Sequence, residues 1–189
     1  MKKYLLSICI VFLSASGIAR AGDFEVGVGF AQPGALLRSE TIDWRQSALA
    51  FAAYKIPIVA GLSIGAQYTC LPATGSFEDL TIPGLYRSFT SLGHTFNLLA
   101  EYEFLRRRDF SPFFSIGCGP QVSAIKRFIT DITYGNWNLS WMTNYQVQLG
   151  VEFYSRVRVT IGHVEQNAAL YETSGSGVPA WYIALSVVL

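Results

Sequence analysis

Charge is scarce in this sequence. Only 14% of its 189 residues are Asp, Glu, Lys or Arg, well below the roughly 25% of an ordinary soluble domain. The 14 basic and 13 acidic residues nearly cancel. That excludes the basic surface by which a protein holds nucleic acid. Histidine is limited to His94 and His163, and cysteine to Cys9, Cys70 and Cys118. Neither type is spaced as a ligand set, so no metal and no cofactor is expected. The glycines form no phosphate loop, because none opens a helix after a strand. Long hydrophobic runs are missing too. The chain is 51% hydrophobic, yet no unbroken stretch approaches the ~20 residues that a membrane helix needs.

The apolar residues are instead interleaved with Gly, Ser, Thr, Asn and Gln. Apolar composition without apolar runs is the signature of strands that cross a membrane. The start of the chain reads as a secretory signal over residues 1–21. Lys2 and Lys3 form its basic region, Tyr4 to Leu13 its apolar region, and Ala19-Arg20-Ala21 its cleavage site. The mature barrel would then span 22–189. Losing Lys2, Lys3 and Arg20 leaves 11 basic residues of the 14, against 13 acidic, a net charge of about −2. Cys9 leaves with the signal. Cys70 and Cys118 share parity with apolar residues on non-neighbouring strands, and no disulfide is expected between them.

The last stretch carries the clearest pattern. Trp181, Ile183, Leu185, Val187 and Leu189 fall on one face of a period-two alternation, while Tyr182, Ala184, Ser186 and Val188 fall on the other. Such an edge in a soluble domain invites aggregation. In a closed barrel the last strand pairs with the first and no edge remains. The first strand, Phe24 to Ala31, alternates in the same way. Between them the pattern places strands at Ser47 to Lys55, Gly61 to Leu71, Phe89 to Phe104, Pro112 to Ile125, Trp137 to Phe153 and Arg156 to Val164. The faces of Ser47 to Lys55 are ambiguous, because both are apolar.

Connections alternate in length. Ile56 to Val59, Arg106 to Asp109 and Tyr154-Ser155 read as short turns. The segment after Pro33-Gly34, Pro72 to Arg87, Lys126 to Asn136 and Asn167 to Gly177 read as long loops. Pro120 suggests a bulge. The fold class is therefore all-β: an eight-stranded antiparallel up-and-down transmembrane barrel with short periplasmic turns and longer extracellular loops. A lipocalin-like soluble barrel would need the inverse parity, with the large residues inside.

With these strands read, the chain resembles the small bacterial outer-membrane barrels of the OmpA/OmpX type over about Gly22 to Leu189. The resemblance implies outer-membrane localisation and a monomer surrounded by membrane lipid and lipopolysaccharide. It also implies insertion by the barrel-assembly machinery, which reads the final strand. Trp181, Ile183, Leu185 and Val187 fit that signal, while Leu189 stands where an aromatic residue is usual.

Six charged residues have inward parity near the periplasmic ends of their strands: Glu25, Glu101, Glu103, Glu152, Arg156 and Arg158. Isolated charges inside a barrel are too costly, so a paired network that plugs the lumen is expected. The alternatives are a gated, narrow channel or an acid–base carboxylate pair. The run Gly162-His163-Val164-Glu165 is similar to a strand exit of the outer-membrane lipid A deacylases. His163 matches their base, but Glu165 stands where their serine nucleophile belongs. His163 and Glu165 are thus the weak catalytic candidates. The leading expectation is a non-enzymatic outer-membrane protein with a structural or surface-interaction role; a lipid A-modifying enzyme and a narrow channel are the alternatives.

Overall fold

The structure is a computed structural model that describes residues 22–33, 42–78, 84–105, 109–129, 132–167 and 177–189. The signal segment 1–21, the basic residues Arg106 to Arg108, and Tyr171, Glu172, Ser174 and Ser176 lie outside the described residues. So do the side chains of Trp44, Phe77, Tyr86, Phe89, Tyr134, Trp137 and Trp141.

Nine strand segments appear in chain order: β1 Asp23–Pro33, β2 Ile42–Arg45, β3 Ser47–Val59, β4 Leu62–Glu78, β5 Tyr86–Glu103, β6 Phe110–Ile129, β7 Ile132–Phe153, β8 Val157–Asn167 and β9 Gly177–Val188. Both β2 and β3 pair with β4, one above the other, so nine segments make eight staves. All pairings are antiparallel. The pairing of β4 with β5 at one end of the order and of β1 with β9 within it closes the sheet into a barrel. The last strand meets the first from Glu25 opposite Val188 to Pro33 opposite Ala180. The Leu189 amide also donates to the Phe24 carbonyl at 2.7 Å.

Among the described side chains, burial alternates along the middle of the staves. On β9, Ala180, Tyr182, Ala184 and Ser186 are buried, while Trp181, Ile183, Leu185 and Val187 are exposed. The exposed set continues round the barrel as Val26, Val28, Phe30, Ile64, Phe96, Leu98, Ile116, Val147, Leu149, Val159 and Ile161. Large apolar side chains facing outward over polar ones facing inward are the reverse of a soluble fold. They make the apolar band that hydrocarbon covers. Tyr102, Phe104, Phe110 and Tyr154 ring the end with the short turns, as an aromatic girdle requires.

The short turns have specific chemistry. Tyr154 and Ser155 both have positive φ, at 52° and 56°, and the Arg156 amide donates to the Phe153 carbonyl at 3.1 Å. This is the mirror-image two-residue turn whose twist matches its flanking strands. Ala60-Gly61 turns β3 into β4, with Gly61 at φ 81°.

Several boundaries differ from the sequence expectation. β3 runs on through Ile56 to Val59 instead of reversing there, and a register shift between Pro57 and Val59 absorbs the proline. Pro72 does not open a loop. β4 continues past it to Glu78, because the Ser47 hydroxyl caps the Pro72 carbonyl and the stave opposite carries one extra residue between Arg45 and Ala50. Lys126 to Asn136 is not a long loop either. β6 and β7 pair as far as Ile129 opposite Ile132. Pro120 produces no bulge, since β5 and β6 lose the pairing of Phe96 and Asn97 but resume in the same register at Leu98 opposite Cys118.

The result is a barrel of unequal walls. β4, β5, β6 and β7 have 17, 18, 20 and 22 residues, whereas β1, β8 and β9 have 11, 11 and 12. A tilted strand rises about 2.4 Å per residue along the barrel axis. The short staves therefore just span an apolar band of about 25 Å, and the tall ones project well beyond it.

Candidate functional site

The lumen near the short turns is filled by charge. Glu25 of β1, Lys55 of β3, Glu101 and Glu103 of β5, Glu152 of β7 and Arg158 of β8 all point inward and are all buried. Antiparallel pairing brings them together. Asp23 to Ala31 runs against Ser47 to Lys55, placing Lys55 near Glu25, and Glu152 lies directly opposite Arg158.

Arg158 is the centre, with a relative exposure of 1%. Its Nε donates to Glu152 at 2.5 Å, its Nη1 to Glu101 at 2.7 Å and Glu25 at 3.3 Å, and its Nη2 to Glu103 at 2.7 Å. Lys55 Nζ donates to Glu25 and Glu101, each at 2.6 Å. Ser186 Oγ donates to the second oxygen of Glu25 at 2.5 Å. The buried ring of Phe113 lies 4.7 Å from the Arg158 guanidinium carbon and 5.8 Å from Lys55 Nζ, measured to its centroid. Arginine suits this place because its planar fork of donors satisfies several carboxylates at once.

Five of the six residues read as inward from the sequence meet here. Arg156 does not. Its amide closes the turn after Phe153 and its side chain is exposed, because the period-two parity of β8 begins only at Val157. Lys55 was missed, since alanines on the other face of its strand hid which face was inner. Its shared parity with Leu49, Phe51 and Ala53, and the surplus of four carboxylates over two arginines, were the available signals.

Above the charges the lumen splits. On the β4–β7 side Gln148 donates to Gln67 at 3.2 Å and to the Tyr182 hydroxyl at 2.7 Å, and Asn144 donates to Asn97 at 2.5 Å. On the opposite side Ala31, Leu49, Phe51, Val164, Ala180, Tyr182 and Ala184 pack together, joined by Leu71 of β4. The rings fit because glycine stands opposite: a Cβ at Gly162 would strike the Tyr182 ring, and one at Gly27 the Phe51 ring.

Chemically, this arrangement is a bolt. A carboxylate acting as general acid or base must reach a substrate. These four are buried and bonded to cations.

His163 and Glu165 lie elsewhere, two residues apart on β8 and half-exposed on the outer face. The His163 ring sits 4.8 Å from that of Trp181, inclined at 57°. Its cross-strand neighbours are Val147 and Trp181, neither of which carries a hydroxyl. The final-strand residues Trp181, Ile183, Leu185, Val187 and Leu189 all face outward. Cys70 and Cys118 are free, on β4 and β6 with β5 between them.

A closed eight-stave barrel with an apolar outside and a bolted, polar inside is a transmembrane barrel of the small outer-membrane type. Solved structures with the same fold bear this out. Neisserial surface protein A is 12% identical over 89% of this chain and 96% of its own, with a TM-score of 0.52. Ail, the attachment invasion locus protein of Yersinia pestis, is 10% identical over 89% and 99%, with a TM-score of 0.53. The outer membrane protein OprG of Pseudomonas aeruginosa is 10% identical over 89% and 96%, also at 0.53. No family model matches the sequence, and no curated protein matches it.

Proposed function

We propose that this protein is a non-enzymatic outer-membrane barrel whose role is structural and recognitive, exercised at the cell surface by its tall wall. The observation that carries this reading is the β6–β7 ribbon. Among the described residues, β7 pairs with β8 only from Tyr145 to Phe153, whereas its pairing with β6 continues outward to Ile132. The ribbon thus reaches about 30 Å past the last of those rungs. A hydrogen-bonded ribbon held at fixed height is a rigid platform for contact with another surface. The bolt around Arg158 supports the same reading from the other side, because it sets buried, paired charges across the lumen where a conducting path would have to run. Lipopolysaccharide and other membrane lipid surround the monomer's apolar band, and the barrel-assembly machinery reads Trp181 to Leu189.

The test is deletion of residues 126–136 with a tight turn restored. The variant should still fold, seen as a heat-modifiable band on a gel. It should lose adhesion or resistance of the envelope to detergent relative to the full chain. Neither property changing in a folded variant would defeat the surface role. Sustained conductance of the full chain in planar bilayers would replace it with the channel. Altered lipid A mass spectra that depend on His163 would replace it with the deacylase.

A further inference from the structure

The lipid-facing side of the short wall carries one charge. Among the described residues, β1, β3, β8 and β9 place a single ionised side chain on the outer parity, Glu165 of β8. The side is fixed by its neighbours: Val164 is buried, and Ile161 and His163 precede Glu165 on the outer face. Glu165 is half-exposed. Its direct cross-strand neighbours are Tyr145 on β7 and Pro179 on β9, and neither is a cation. His163, two residues below, is turned to the Trp181 indole, and its Nε2 is buried without a partner. An ionised group facing lipid is expensive, and its counter-charge has to be accounted for.

Depth says where that counter-charge comes from. Glu165 is eight residues above Val157, where β8 leaves its turn. At about 2.4 Å per residue that is roughly 19 Å, or ~6 Å short of the outer edge of a 25 Å band. The carboxyl of an extended glutamate stands about 4–5 Å from its Cα. Glu165 can therefore snorkel to the headgroup layer, where lipid charges lie. Two exposed rings flank it there. Tyr145, directly opposite, is 60% exposed, and Trp181, diagonally below on β9, is 43% exposed. A carboxylate between aromatic rings suits an organic ammonium, which makes an ion pair with the one and cation–π contacts with the others. A divalent metal would need about six oxygens, and one carboxylate supplies two. Below the rings, Val147, Leu149, Ile161 and Ile183 are exposed, an apolar track for acyl chains of the same molecule.

We propose that Glu165, Tyr145 and Trp181 form a headgroup site for an amine-bearing phospholipid, of the ethanolamine class, in the outer leaflet. The ammonium donates to the Glu165 carboxylate, and its methylene side rests against the two rings. His163 is a positioning residue that holds the Trp181 ring in place. No covalent bond forms or breaks, so the site stands apart from the hydrolytic reading of His163. It is also independent of the surface role, since it uses none of residues 126–136.

The test offers the folded full chain, in dodecyl maltoside with EDTA, equal amounts of phosphatidylethanolamine and phosphatidylglycerol with identical acyl chains. Retained lipid is read by native mass spectrometry. The ethanolamine lipid should be favoured about tenfold, the strength of a hydrogen bond to a charged group. Glu165→Gln, with its heat-modifiable band intact, should abolish the preference. Trp181→Leu and Tyr145→Leu should each lower it about threefold, as loss of a half-exposed cation–π contact does. N-acetylated phosphatidylethanolamine, which keeps the chains and lacks the ammonium, should be retained no better than phosphatidylglycerol, a check made on the unaltered chain. Free ethanolamine at the same concentration should displace nothing. Equal retention of the two lipids by the full chain would overturn the proposal. So would an unchanged preference in folded Glu165→Gln, strong retention of the N-acetylated lipid, or displacement by free ethanolamine.

Discussion

Seen from inside the lumen, the β8–β9–β1–β3 wall is short and mostly apolar above its charged floor, lined by Ala31, Leu49, Phe51, Val164, Tyr182 and Ala184. The β4–β7 wall is tall and mostly polar, lined by Gln67, Thr69, Thr95, Asn97, Gln121, Asn144, Gln146 and Gln148. The apolar wall is held by packing, which is non-directional and tolerates no second arrangement only because its rings rest against glycines. The polar wall is held by directional amide bonds that fix which stave lies at which height. Among the described side chains they meet at the bond from Gln148 to Tyr182, and below it at Arg158 and Lys55, short-wall residues bonded to the tall-wall carboxylates Glu101, Glu103 and Glu152. The comparison teaches that filling the barrel and aligning its staves are carried by different residues.

Breaking the ionic junction has the largest expected effect. Arg158→Ala leaves four buried carboxylates with one cation, Lys55, and should cost about 3–5 kcal/mol, read by urea unfolding in vesicles. An unchanged midpoint would mean that the charges do not couple the walls. Next comes Gly162→Val. It forces a side chain into the Tyr182 ring and should cost about 1–3 kcal/mol by overpacking. Equal tolerance of valine there and at an exposed outer position such as Ala66 would erase the packing half of the comparison. Gln148→Leu removes the single amide joining the walls. It should cost about 1–2 kcal/mol for the unpaired Tyr182 hydroxyl and Gln67, and the Gln148→Leu, Tyr182→Phe pair should lose less than the sum of the two singles. The smallest effect tests neither wall and so serves as the control. Ser155→Gly relieves a positive φ and should raise stability by up to about 1 kcal/mol, leaving both walls as they are.

The apolar wall was the more legible in the sequence. Its outer residues alternate without interruption from Trp181 to Leu189 and from Phe24 to Phe30, so parity assigned both faces. The Tyr154-Ser155 turn was legible as a break between two alternating runs, whereas the reversal expected at Ile56 to Val59 lies at Ala60-Gly61, beyond the end of β3. The upper reaches of the tall wall were not legible. There small and polar residues stand on both faces, as in Ala73-Thr74-Gly75-Ser76, the contrast that marks an inner face disappears, and Pro72 and Gly75 look like loop residues although they lie within β4. Within the bolt, the carboxylates were legible by parity and Lys55 was not, because alanine on the lipid side gives no contrast. Arg156 erred the other way: parity was carried one residue into a turn that the φ values of Tyr154 and Ser155 define.

The join of β1 to β9 has a kinetic meaning. Its rungs connect Glu25 to Val188 and Val26 to Val187, residues near opposite ends of the described sequence, while every other seam joins staves adjacent in the chain. Loop-closure entropy falls heavily on that one seam, and contacts so distant in sequence are slow to form. Seven hairpin-like seams can therefore zip early, and the rate of reaching the native barrel is set by the eighth. Lengthening or trimming the surface ribbon of β6 and β7 leaves that clock almost untouched, while a change at Val26 or Val187 resets it.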